Sequence, residues 1–159
     1  MKRVRRKQVY EGRLFDVVVE NWGPRERELV EHPGSVTILP LDADGRIVQL
    51  LAGGMLEAGE APLLAAQREL AEETGLHGGD WRQLRVIQPS PGILREPVTI
   101  FVAEGLEEGE PELEDGEEIA VVRLTAQELE ARLGELEDAK TLVGVLLYLR
   151  ERVEGSERP

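Results

Sequence analysis

The sequence predicts a single α/β domain in which a mixed β-sheet lies between helices. Three observations predict it. Short runs rich in β-branched and aromatic residues recur between turns bearing glycine and proline. One amphipathic helical stretch stands mid-chain, and two capped helical stretches close the sequence. At 159 residues the chain suits one compact domain with a real core, so 1–159 reads as one unit.

The elements follow in order. Residues 13–20 are extended, Gly23 and Pro24 mark a turn, and 25–32 read as the returning strand before Pro33-Gly34 breaks it. The apolar run 36–41 has the character of a buried strand, and the turn Asp42-Ala43-Asp44-Gly45 leads into a strand over 47–51. A helix then begins with Pro62 in its first turn and stops before Gly75. Leu63, Ala66 and Leu70 are expected on or beside its buried edge. Strands follow at 81–88 and 98–103, separated by the rigid loop 89–92. Residues 106–118 form an acidic, solvated connection to a strand at 119–124. Thr125 and Glu128 make a capping box for a helix ending near Gly134. Asp138 caps the last helix, whose inward face is expected to carry Leu142, Val145, Leu146 and Leu149, with the tail 155–159 frayed.

Charge and composition exclude several classes. With 32 acidic against 19 basic residues the net charge is −13, which argues against a general nucleic-acid-binding surface. The chain contains no cysteine, so neither disulfides nor thiolate sites arise. No run approaches about 18 apolar residues, and the basic start lacks the apolar core of a signal peptide. A cytoplasmic protein that engages neither membrane nor nucleic acid is expected.

The mid-chain helix holds the chemistry. Glu69, Glu72 and Glu73 fall on one arc of about 100° beside the buried face. Like charges at this spacing destabilise a helix by about 0.2–0.5 kcal/mol per pair. Arg68 is the only cation near them in the helix, and its position on the wheel points it elsewhere. An external cation is therefore expected, and oxygen ligands without Cys or His favour magnesium or manganese. Taken alone, three solvated glutamates in an acidic chain would be the better reading. The spacing around them is more specific: Gly54, five residues, Glu60, seven residues, then Arg68-Glu69-Leu70-Ala71-Glu72-Glu73-Thr74-Gly75-Leu76.

That pattern resembles the signature of the Nudix hydrolases at all nine specified positions. The resemblance implies an α/β/α sandwich with a mixed central sheet. Outside the box, 9–15, 31–34, Ser90-Pro91-Gly92 with Glu96, 115–119 and 138–141 are similar to the ADP-ribose pyrophosphatase branch. The implied activity is metal-dependent hydrolysis of a nucleoside diphosphate sugar, ADP-ribose first, giving AMP and ribose 5-phosphate. Another nucleoside diphosphate sugar, a nucleoside triphosphate, or a non-catalytic nucleotide sensor are the alternatives. The implied cofactor is Mg2+, with Mn2+ as a substitute.

Roles follow from chemistry and resemblance together. Glu69 and Glu73 are the expected primary metal ligands, with Glu72 a further ligand or the holder of a metal-bound water. The resemblance adds the carbonyl of Gly53. Arg68 and Glu60 are expected to form a salt bridge that fixes the loop against the helix, while Glu57 reads as solvated. By resemblance Glu96 would be the base that activates water, against a reading as an ordinary surface charge. Arg27 would meet a substrate phosphate, against a reading as an exposed strand residue. His32 and His77 are too far apart in sequence to suggest a ligand pair, and Trp22 and Trp81 are expected in or near the core. The resemblance also implies a homodimer in which strands of 1–34 pair across a two-fold axis, leaving 35–159 as the catalytic core. One departure stands out: the segment between the Asp44-Gly45 turn and the box is short, and Ala52 occupies a position where proline is common in the branch.

Overall fold

The computed structural model describes residues 5–48, 52–112 and 122–156. Nine strands and three α-helices are assigned among them. β1 (Arg5–Glu11), β2 (Asp16–Trp22) and β3 (Arg25–Glu31) form an antiparallel meander, and the two-residue β7 (Leu94–Arg95) joins β3 in parallel. A second sheet has the order β4 (Ser35–Pro40), β8 (Val98–Glu104), β6 (Asp80–Ile87), parallel between β4 and β8 and antiparallel between β8 and β6. β5 (Ile47–Val48) pairs with β9 (Arg123–Leu124).

β4 is buried along its whole length and β8 along all but its last residue. A parallel pair covered on both faces explains why the sequence there is mostly apolar rather than alternating, with only Ser35, Thr37 and Thr99 as buried polar residues. On one face Val36, Ile38, Phe101 and Ala103 pack with Ala65, Ala66 and Leu70 of α1 (Pro62–Thr74). On the other, Leu39 and Val102 pack with Leu129 of α2 (Ala126–Ala131) and with Val145 and Tyr148 of α3 (Ala139–Ser156). The mixed sheet between helices is therefore as expected.

The helix ends follow local chemistry. Pro62 opens α1, and Gly75 ends it at φ 74°, its N–H bonded to Ala71 O at 2.8 Å. That left-handed conformation suits glycine. Thr125 and Glu128 make the expected capping box, and Asp138 Oδ2 accepts from the N–H of Thr141 at 3.0 Å. A short 3-10 turn at Leu133–Glu135 follows α2.

Several expectations need correction. β1 was not anticipated, because all seven of its residues are exposed and carry no inward–outward pattern. β2 starts at Asp16 rather than Arg13, since Asp16 Oδ1 accepts from Gly12 N and closes the turn before it. Leu63 is 40% exposed, and Ala65 takes its place in the core. Leu146 is 47% exposed, while Tyr148 supplies the apolar contact. Between 106 and 112 the acidic connection is exposed beyond Leu106 but tied down by backbone bonds between Glu107 and His77 and from Glu112 N to Glu72 O. The remainder of that connection, the start of the strand expected at 119–124, residues 49–51 and the last three residues lie outside the described residues. Among the described residues, no helix is long and apolar enough to cross a membrane.

Candidate active site

The site is assembled on the first residues of β4. The segment 52–56 runs antiparallel beside them: Ile38 N donates to Ala52 O at 2.8 Å, Val36 N to Gly54 O at 2.9 Å and Leu56 N to Gly34 O at 3.1 Å. These bonds press Gly53 and Gly54 against α1. A Cβ on Gly54 would overlap the carboxyl group of Glu69, and one on Gly53 would overlap the carbonyl of Val36. Glycine at both positions lets backbone and carboxylate approach closely.

Arg68 is the hub. Its Nε and Nη2 donate to the two oxygens of Glu60, each at 3.1 Å, a forked pair that ties the loop to the helix as expected. Glu60 in turn accepts from Glu57 N at 2.9 Å, closing its own loop. One expectation fails here. Arg68 does not point away from the acids: Nη1 donates to Glu69 Oε1 at 2.9 Å and to Glu72 Oε2 at 3.0 Å. The helical wheel misplaced it because an arginine reaches well beyond the position of its Cα.

The electrostatics separate the carboxylates. Hydrogen bonds from Arg68 hold the Glu60 carboxyl below its ordinary value. Burial pushes the Glu69 carboxyl up, Arg68 opposes this, and Glu72 and Glu60 add to the rise. The ionised form of Glu69 is thus disfavoured where it stands, which a cation would relieve. Glu73 Oε2 accepts from Gly53 N at 3.3 Å, so the glycine next to the box does meet the helix acids. Among the described residues the acidic side chains do not converge into a ready-made cage, Glu69 and Glu72 being turned to Arg68. The donors are nonetheless all oxygen, so Glu69, Glu72 and Glu73 are the side chains here that could hold a hard cation.

Beside Arg68 and Glu72 lies a cavity of about 420 Å³, lined also by His77, Glu110 and Glu112 among others. A larger cleft of about 510 Å³ between Asp42, Arg82, Tyr148 and Arg152 contains none of the box residues. The smaller one reaches the site through Arg68 and Glu72 and is the better candidate for substrate.

Glu96 is brought to the same strand end from the other side. Its Oε1 accepts from Ser35 Oγ at 2.9 Å and lies 3.8 Å from His32 Nδ1. Arg27 stands exposed on β3, in register with Glu20, and no hydrogen bond or ion pair ties it to the box acids among the described residues. Trp81 packs on the core with its ring edge-to-face against Phe101, and the two histidines sit in separate surroundings.

Sequence reasoning missed Arg95. It grips the fully buried Glu20 through two bonds, 2.9 and 2.7 Å, and Glu31 through a third at 2.9 Å. Trp22 Nε1 also donates to Glu20 at 3.0 Å. A charge buried at 0% exposure demands such pairing. Nothing local signalled it, because Arg95 and Glu20 are 75 residues apart.

The NUDIX domain family matches residues 31–143, and the chain belongs to the Nudix family of hydrolases, whose members generally use divalent metal ions. The chain is similar to an ADP-ribose pyrophosphatase of Bacillus subtilis (strain 168), with 31% identity covering 98% of this chain and 97% of that protein. That alignment runs over 181 positions against 159 residues here, so the relative carries residues this chain lacks. A methanol dehydrogenase activator of Bacillus methanolicus is 30% identical, covering 96% of this chain and 95% of that one. A crystal structure described as an ADP compounds hydrolase shares the fold, with TM-score 0.75 and 22% identity over 99% of this chain and 96% of the other.

Proposed function

We propose that the protein hydrolyses the pyrophosphate bond of a nucleoside diphosphate sugar, ADP-ribose foremost, with Mg2+ as cofactor and Mn2+ as a substitute. Water adds to one phosphorus and the bridging oxygen leaves, so ADP-ribose and water give AMP and ribose 5-phosphate. The observation that carries the reading is that Glu69 packs on Gly54 and Glu73 accepts from Gly53 N, while Arg68 ties Glu69 and Glu72 to Glu60 of the loop. The similarity to an ADP-ribose pyrophosphatase of Bacillus subtilis over nearly the whole chain supports the substrate.

Glu69, Glu73 and Glu72 would hold the metal with the Gly53 carbonyl. When bound, the metal neutralises phosphate oxygens and makes a coordinated water more acidic. Arg68 fixes the loop against the helix and keeps Glu69 and Glu72 in place. Glu96 accepts the proton of the attacking water, and Arg27 remains a proposed phosphate contact. The strongly acidic chain cannot draw in a polyanion through its overall field, which favours a two-phosphate substrate over a longer polyphosphate.

The same reading takes 1–159 as one domain that works as a cytoplasmic homodimer, with 1–34 at the interface and 35–159 as the catalytic core. Val9, Tyr10, Leu14 and Phe15 are large apolar side chains exposed in and after β1, which supports an interface there.

The test is kcat/KM over a panel of ADP-ribose, other nucleoside diphosphate sugars, ATP and GTP with magnesium. ADP-ribose is expected to lead. Faster turnover of the triphosphates would end the substrate assignment and leave the family assignment standing.

A further inference from the structure

The first residues of β4 carry both halves of the site. On one side the box loop is zipped to them by Val36 N to Gly54 O and Leu56 N to Gly34 O. On the other side the segment bearing Glu96 is zipped to Ser35 and to the residues just before β4, by Ser35 N to Pro97 O at 3.0 Å and His32 N to Arg95 O at 3.1 Å. Ser35 is the residue common to both: it bridges Met55 of the box loop and pairs with Val98 at the start of β8. Its side chain, in a residue only 9% exposed, donates to Glu96 Oε1 at 2.9 Å. His32 stands near the same oxygen, but its Nδ1 accepts from Gly34 N at 3.2 Å and so has no proton to offer there in the neutral ring. Among the described residues, the Ser35 hydroxyl is therefore the donor that holds the Glu96 carboxylate.

We propose that Ser35 is a positioning residue for catalysis: its hydroxyl fixes Glu96 at a set place relative to the box loop, so that base and metal-binding acids share one rigid mount. This rests on the reading of Glu96 as the base. A loop glutamate without such a tether samples several rotamers, and a general base needs hydrogen-bond reach of the proton it takes. Misplacement by about 1 Å can lower turnover by two orders of magnitude. A bond that served only folding would show in the melting temperature and not in the chemical step.

The experiment compares Ser35→Ala, Ser35→Thr, Glu96→Gln and the double variant Ser35→Ala/Glu96→Gln on ADP-ribose with saturating magnesium, alongside thermal melts. Ser35→Ala is expected to lower kcat about tenfold or more with KM within about twofold. Ser35→Thr, which keeps the hydroxyl, should recover most of the loss. The double variant should be no slower than Glu96→Gln, because the two side chains act as one unit. Wild-type kcat in Ser35→Ala, or a full additional loss in the double variant, would overturn the proposal. If Glu96→Gln itself turns over like wild type, the base reading fails and Ser35 falls with it. If Glu96→Gln is slow and Ser35→Ala is not, only the positioning role fails.

Discussion

Gly54 and Glu69 are packed so closely that the smallest side chain on the glycine would overlap the carboxyl group of the glutamate. The loop backbone and this half-buried acid of α1 therefore share one space, and the hydrogen bond from Val36 N to Gly54 O keeps the loop from retreating. Gly54→Ala should displace the Glu69 side chain, the movable partner, rather than the backbone. We expect activity to fall at least tenfold while the melting temperature drops only by a few degrees. Full activity in this variant would show that the position of Glu69 does not matter.

Arg68 should be irreplaceable by lysine. Its fork meets both oxygens of Glu60 while Nη1 serves Glu69 and Glu72, and an ammonium cannot do both. Arg68→Lys is expected to cost about 1–2 kcal/mol of stability and most of the activity. Chemical denaturation and steady-state kinetics on the same preparation would measure the two losses.

Glu69 gives a pH prediction of definite sign. Its folded carboxyl titrates above the ordinary value, chiefly because of burial, so ionisation costs stability at pH above that raised value. The cost disappears as pH falls through it and the carboxyl takes up a proton. Without added metal, Glu69→Gln should therefore melt at or above wild type at neutral pH, the gap closing in acid. Thermal melts between pH 4 and pH 8 would read it, and a variant less stable than wild type at neutral pH would contradict it.

The exposed apolar residues of the first strand predict assembly. Light scattering at micromolar concentration should give a homodimer, the commonest symmetric oligomer. Removing 1–34, or placing glutamate at both Tyr10 and Phe15, should give a monomer or an insoluble chain. A monomeric full-length protein would refute the interface.

How much of this was legible in the sequence depended on the range of the forces involved. The ends of α1 could be read because Pro62 and Gly75 act on their own backbone, and the Thr125–Glu128 capping box spans one turn. β8 was legible because a strand covered on both faces is mostly apolar, with Thr99 its one buried polar residue. β1 was not: with all seven residues exposed it leaves no inward pattern within one chain. The inward face of α3 was read with Leu146 when Tyr148 occupies it, a rotation that only the packing against Leu39 and Val102 decides. The acids of the site were visible through their spacing. The tether between Ser35 and Glu96 was not, because it joins residues 61 apart in sequence, and the direction of Arg68 was not, because its long side chain reaches Glu69 and Glu72 from a Cα position that points elsewhere.

The central claim is that the acids of α1 bind a divalent cation on which hydrolysis depends. It is tested most directly by titrating magnesium into wild type and Glu73→Gln while following AMP release from ADP-ribose, with melting temperature recorded on the same samples. A cation bound only by the folded protein must stabilise it. Wild type should show no turnover in chelator, saturable activation by magnesium and a rise in melting temperature. Glu73→Gln should keep its fold and lose most of both responses. Equal magnesium responses in the two proteins, or AMP release that persists in chelator, would contradict the account.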